Sequence, residues 1–219
     1  MHLTDMYDDL TARLRASGDW VWPLGLRLIM FAEFWKAGRM KMGASVGESG
    51  APSWFANKEF PVPFDWLPAG LNWNMVAYGE VIFAALLLLG LFTRFAAFSL
   101  LVITTIAIVS THWPAEWSSL AELWQGYAVS DKGFGNYRIP LLFMLILLPL
   151  IFHGGGKLSL DTLLRKITAR GGDDRRIGDL PAIGLALLIL AVPFVYLLPG
   201  VGFTLLALGV ISIAIPRIT

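Results

Sequence analysis

Apolar residues gather in six blocks, at 20–38, 75–92, 95–112, 137–153, 182–198 and 201–215, separated by polar or aromatic connections. A helix needs about 20 mostly apolar residues to cross a bilayer core, so the blocks read as membrane spans. Two further stretches repeat apolar residues at helical spacing with charges opposite: Leu3, Met6, Tyr7, Leu10 and Leu14 in 3–17, and Leu160, Leu163, Leu164 and Ile167 in 160–169. They read as amphipathic helices on the membrane surface, the first ended by Gly18 and the second capped by Ser159. The pattern predicts an all-α integral membrane protein with a membrane domain over 1–169, a charged linker over 170–181 and a transmembrane hairpin over 182–219 around Pro199-Gly200.

The first block carries charges where lipid disfavours them: Arg27, Glu33 and Lys36. A charge at the bilayer centre costs about 2.5–3.5 kcal/mol on insertion scales, so such residues face a bundle interior or a polar cavity. At 100° per residue Arg27, Phe31, Phe34, Gly38 and Lys41 form one stripe, with Glu33 and Lys36 on a neighbouring sector. In the second block Ala77, Glu80 and Ala84 share a face, and small residues beside a polar one mark a helix–helix contact. The last two blocks hold no ionisable residue except Tyr196 and read as structural.

Lys and Arg settle the expected orientation, because they accumulate on the cytoplasmic side. Ten lie on the side of the N-terminus and five on the other, which predicts both termini cytoplasmic in a bacterial inner membrane. The aromatic loops after the first and third blocks then face outward and hold six of the nine Trp. The first loop is rich in Pro and aromatics, a composition unlike disordered segments, so it is expected to be ordered against the membrane interface.

With this orientation, Glu33 and Glu80 each lie five residues inside the outer boundary, about 7 Å at the helical rise. Lys36, His112 and Arg138 fall at the same layer, and Arg27 lies deeper. These six are the candidate pocket, with Glu80 expected to pair with Arg27 or Lys36. Blander roles exist for each: Glu33 and Lys36 pairing and snorkelling, His112 capping a helix, Arg138 anchoring at the interface, or the whole set as a structural ion network.

Composition narrows the chemistry. The chain has 219 residues, 56% hydrophobic, with net charge +1, and nothing in it gathers into a nucleic-acid groove. There is no Cys, which removes disulfides, thiol redox chemistry and iron–sulfur clusters. Of three His, His112 and His153 are expected at opposite membrane faces, and no spacing resembles a metal or haem site. No phosphate-binding loop follows a strand, and no secretory signal opens the chain. A polar, aromatic-roofed cavity in lipid remains, suited to an amphipathic ligand such as a quinone head group or to a small anion.

The run Arg27…Phe34…Gly38…Lys41, then Glu80 with LLLLGLFTRFAAFSL (86–100), then GGGKLSLD (154–161), resembles the DoxX/DoxD family of bacterial membrane proteins over residues 20–165. The aromatic loop, HWPAEW (112–117) and GYAVSDKGFGNYRIP (126–140) are similar to its HvfX-like branch. The resemblance implies a four-helix unit, here exceeded by the terminal hairpin, and Gly38, Lys41 and Arg94 as motif positions beside Arg27 and Glu80. It implies a quinone-linked redox or redox-stress membrane subunit. The branch implies instead an accessory, export or chaperone role for a small modified metal-binding peptide, without catalysis of its own.

Overall fold

The computed structural model describes residues 3–114, 116–127, 135–168 and 178–214. Most of the expected charged linker, the first residues of the GFGN turn, and Lys132, Arg170, Arg175, Arg176 and Arg217 lie outside them. Among the described residues the chain is all helical: α1 (Leu3–Met42), α2 (Ser53–Ala56), α3 (Ala69–Leu89), α4 (Thr93–Ala107), α5 (Leu120–Tyr127), α6 (Arg138–His153), α7 (Leu160–Ile167), α8 (Asp179–Leu197) and α9 (Pro199–Ala214). Three helices among the described residues are long and apolar enough to cross a membrane: Ala69–Leu89, Thr93–His112 and Asp179–Leu197. Arg138–His153 and Pro199–Ala214 are shorter apolar helices.

One expectation fails at the start. The stretch 3–17 and the first span form one helix of 40 residues, not a surface helix stopped by Gly18. A glycine inside a helix costs only about 1 kcal/mol against alanine, and no other breaker adjoins it. Pro23 lies inside the same helix. It has no N–H to give to the carbonyl four residues back. That carbonyl, Asp19 O, accepts from the Lys157 N–H at 3.0 Å instead. The notch left by the proline is thus filled by the glycine-rich segment that follows α6.

α3 ends in a left-handed cap at Gly90 (φ 65°), with Leu91 N–H returning to Leu86 O at 3.0 Å. Phe92 is also left-handed (φ 48°), which turns the chain at once into α4. α4 continues as one wide turn over Ile108–His112 before Trp113-Pro114 ends it. α1 packs on α3, α3 on α4, and α4 on α6. Their shared core contains Met30, Leu87, Leu100, Leu101, Leu147 and Leu150, all inaccessible to solvent. The hairpin adds Leu197 to that core, and Tyr196 Oη donates to Val62 O at 3.1 Å. Gly184 and Gly209 let α8 and α9 touch backbone to side chain: a Cβ on Gly184 would lie 2.8 Å from Gly209 O.

The first aromatic loop is ordered around its own small core of Ala51, Phe55 and Trp73, with the Phe55 and Trp73 rings 4.9 Å apart. α3 begins at Ala69, six residues before the expected start at 75, because the Pro68 turn leads straight into it. α5, inside the second aromatic loop, was not expected from the apolar pattern. Its start is a capping arrangement in which Glu122 N–H donates to Ser119 Oγ and Glu122 Oε2 accepts from Ser118 N–H at 2.8 Å.

Candidate functional site

Two polar constellations stand at different heights along α1. The upper one is a buried ion pair. Lys41 Nζ donates to both carboxylate oxygens of Glu80, at 2.9 and 2.7 Å. Glu80 is 6% exposed. The contact depends on Gly38, one turn before Lys41: a Cβ there would fall 2.7 Å from Val81 and 2.9 Å from Ala77 O. The missing side chain lets α1 approach α3 closely enough for the ammonium to reach the carboxylate.

This corrects the expected pairing. Glu80 is joined to neither Arg27 nor Lys36. Glu33 and Lys36 are exposed on α1. Arg27 precedes Lys41 by fourteen residues, roughly 21 Å along a helix, too far for any shared carboxylate. Lys41 had the right stripe and the right spacing from Gly38, but it lies beyond the apparent end of the span, whereas Lys36 lies within it. The remaining candidates do not join the pair either. Arg138 is exposed and sits over the Tyr127 ring, 5.4 Å from its centre. His112 is half-buried, and its carbonyl accepts from Asn136 N–H at 2.8 Å. Beside them the buried Tyr137 hydroxyl donates to Leu123 O at 2.6 Å.

The lower constellation is built on backbone carbonyls. Arg27 is 2% exposed. Its Nη1 donates to Gly155 O at 2.6 Å and Leu158 O at 2.8 Å, and its Nη2 to Leu88 O at 3.3 Å. Arg94 Nη1 donates to Ile151 O at 2.7 Å and to Phe152 O. Asp161 completes the set: its two oxygens accept from Phe92 N–H (2.7 Å) and Thr93 N–H (2.9 Å), and its own N–H donates to Gly90 O (2.9 Å). Opposite charges therefore meet opposite helix ends, arginines on the carbonyl ends of α3 and α6 and an aspartate on the amide end of α4. Asp161 was not named as a candidate in the sequence; its signals were its place two residues after the helix cap Ser159 and at the end of the GGGKLSLD stretch.

Two cavities meet under the first aromatic loop. One, of about 460 Å³, is lined by Lys58, Glu59, Asp65 and Leu67 among others. The second, of about 300 Å³, is an apolar groove between α3 and α4 lined by Met75, Val76, Phe83, Phe95, Phe98, Ser99, Val102, Ile103 and Ile106. Phe60, Phe64 and Asn72 belong to both. Asn72 is buried, and its Nδ2 donates to Phe64 O at 2.8 Å. The Lys41–Glu80 pair lines neither cavity. Among the described residues no three His, Asp or Glu side chains are grouped to hold a metal ion.

Comparison with known proteins bears on this geometry. The family model described as DoxX matches residues 22–113, which contain Arg27, Gly38, Lys41, Glu80 and Arg94. An uncharacterized protein of Haemophilus influenzae is 36% identical over 157 residues, covering 71% of this chain and 91% of that protein. No solved structure matches the chain. The match over the buried pair and the carbonyl-bound arginine, together with the apolar helices, shows that this chain belongs to the DoxX family of membrane proteins.

Proposed function

We propose that the protein is a six-span inner-membrane subunit with both termini cytoplasmic, which binds a quinone through the paired cavities under its outer aromatic loop and serves a quinone-linked redox or redox-stress system. One observation carries this reading: a polar cavity and an apolar groove share the wall Phe60, Phe64 and Asn72. An amphipathic molecule with a polar ring and a long apolar tail has this division, and binding sites of a few hundred Å³ with few polar groups suit such ligands. When bound, a quinone supplies acceptance of electrons and protons. Asn72 retains a second N–H beyond the one given to Phe64, and Lys58 adds an ammonium; both suit a ring carbonyl. Phe60 and Phe64 flank the ring. Glu59 and Asp65 line the same cavity and are placed to pass protons between water and the ligand. Met75, Phe98 and Val102 take the tail out of water. A redox partner protein supplies the electrons.

Ser99 lies on the groove wall and is only half-buried. Replacing it by Trp fills the groove. Gently purified wild-type protein is expected to carry quinone, detected by mass spectrometry of extracted lipid, and Ser99→Trp to carry little. Wild-type protein free of quinone, or equal loading of both, overturns the reading.

A second reading has its own support. Trp54, Trp66 and Trp124 are exposed on the aromatic loops. Such surfaces suit capture of a peptide, as the HvfX-like branch implies for small modified metal-binding peptides. Crosslinking from these three positions to a defined modified peptide distinguishes it: specific adducts favour the accessory role, and their absence with quinone present favours the redox role.

A further inference from the structure

At the end of the molecule held together by Arg27, Arg94 and Asp161, a cleft of about 900 Å³ opens between α7, the start of α4 and the end of α6, sharing only Phe95 with the apolar groove. It is lined by four cations, Arg94, Lys157, Arg165 and Lys166, against two carboxylates. The carboxylates do little to offset them. Asp161 gives both oxygens to the amides of Phe92 and Thr93. Asp19 faces Lys157 alone, at 3.6 Å. Among the described residues no carboxylate pairs with Arg94, Arg165 or Lys166.

The neighbouring surface says which anion fits. α7 exposes Leu163, Leu164 and Ile167, the last 69% accessible, beside the basic pair. Phe92 and Phe95 extend the apolar surface from the cleft wall. In a membrane protein, a helix with one bare apolar face and one basic face lies at the boundary of hydrocarbon and head groups. The cations of the cleft then stand at head-group depth, with apolar surface continuing toward the acyl chains. Arg94 is fixed in place by its bonds to the Ile151 and Phe152 carbonyls, so one wall of the cleft is rigid. A zwitterionic lipid would bring its own ammonium against these cations, whereas an anionic lipid brings only the phosphodiester.

We propose that this cleft binds the phosphodiester head group of an anionic phospholipid, with Arg165 and Lys166 as its contacts and the acyl chains lying over Phe92 and Phe95. The bound lipid bridges α7 to the α4–α6 pair.

The test titrates phosphatidylglycerol or phosphatidylcholine into the full-length protein in uncharged detergent and follows the thermal midpoint. Phosphatidylglycerol is expected to raise it and phosphatidylcholine not. Arg165→Gln with Lys166→Gln is expected to weaken the apparent affinity roughly 30-fold, which is about 2 kcal/mol at ~1 kcal/mol per basic residue. Both side chains are exposed, so the variant retains its core. Arg13→Gln with Arg15→Gln removes the same charge from exposed positions outside the cleft and is expected to change nothing. Equal loss in the two variants, or an equal response to phosphatidylcholine, overturns the proposal. The same shift from inorganic phosphate alone assigns the cleft to a free anion and overturns it as well. Counting bound lipids on the wild type by native mass spectrometry gives an independent reading, and no excess of phosphatidylglycerol over phosphatidylcholine counts against it.

Discussion

Lys41 Nζ lies 2.7 Å from Glu80 Oε2 across the contact of α1 and α3, and the carboxylate is almost wholly enclosed. Removing one partner of a buried pair strands the other, at about 3–5 kcal/mol in soluble proteins. Glu80→Gln and Lys41→Met are each expected to lower thermal stability in detergent on that scale. The double variant is expected to lose less than the sum of the two, because no orphaned charge remains. Lys36→Met combined with Glu80→Gln is expected to be additive. Coupling through Lys36 in place of Lys41 would refute the pairing.

Arg27 spans carbonyls from two separate segments with one planar group. A lysine offers a single point of contact and cannot fork between them. Arg27→Lys is therefore expected to destabilise, and Arg27→Met to do so further, at about 1–3 kcal/mol for each buried carbonyl left unmet. Urea or thermal unfolding in detergent reads the order. Equal stability of the lysine variant and the wild type would contradict this account.

The tightness of the lower constellation can be probed with two alanines. A Cβ on Gly155 would lie 2.6 Å from Thr93 Oγ1 and 2.8 Å from Ser159 Cβ, while one on Gly25 meets nothing within 4 Å. Gly155→Ala is expected to cost about 1–3 kcal/mol by overpacking. Gly25→Ala, inside α1, is expected to gain up to about 1 kcal/mol from helix propensity. Melting temperatures moving in opposite directions are the expected result.

Orientation is open to direct labelling because the chain has no Cys. Ser53 and Ser17 are both exposed, the first in the aromatic loop and the second near the start of α1. Ser53→Cys is expected to react with an impermeant maleimide in intact cells, and Ser17→Cys only after lysis. The reverse pattern would invert the proposed topology.

Some helix ends were legible from a chemical stop, Gly154 after α6 and Pro199 at the start of α9, whereas the block expected over 75–92 ran past the stop at Gly90. The continuity of α1 was not legible, since Gly18 read as a stop; Pro23 lies inside the helix and the Asp19 carbonyl it leaves free has a partner in Lys157. Among site residues, Glu80 was placed correctly in a helix contact, but its partner was misread by counting depth alone. Side-chain patterns announce carboxylates and cations; they do not announce carbonyls. That is why Arg27 was assigned to a pocket rather than to Leu88, Gly155 and Leu158. α5 carried a readable signal, Ser119 followed three positions on by Glu122. That carboxyl lies below the usual range, because Ser118 donates to it from both its N–H and its hydroxyl.

The carbonyls that receive Arg27 Nη1 are 128 and 131 residues further along the chain. A ribosome making this protein exposes the arginine long before it makes either. Until Gly155 has emerged, the guanidinium has only one of its three final carbonyl partners available, that of Leu88. Chains halted before Gly155 therefore have α1 tied to α3 alone, and the segment after α6 is what locks the first helix made to one made far later.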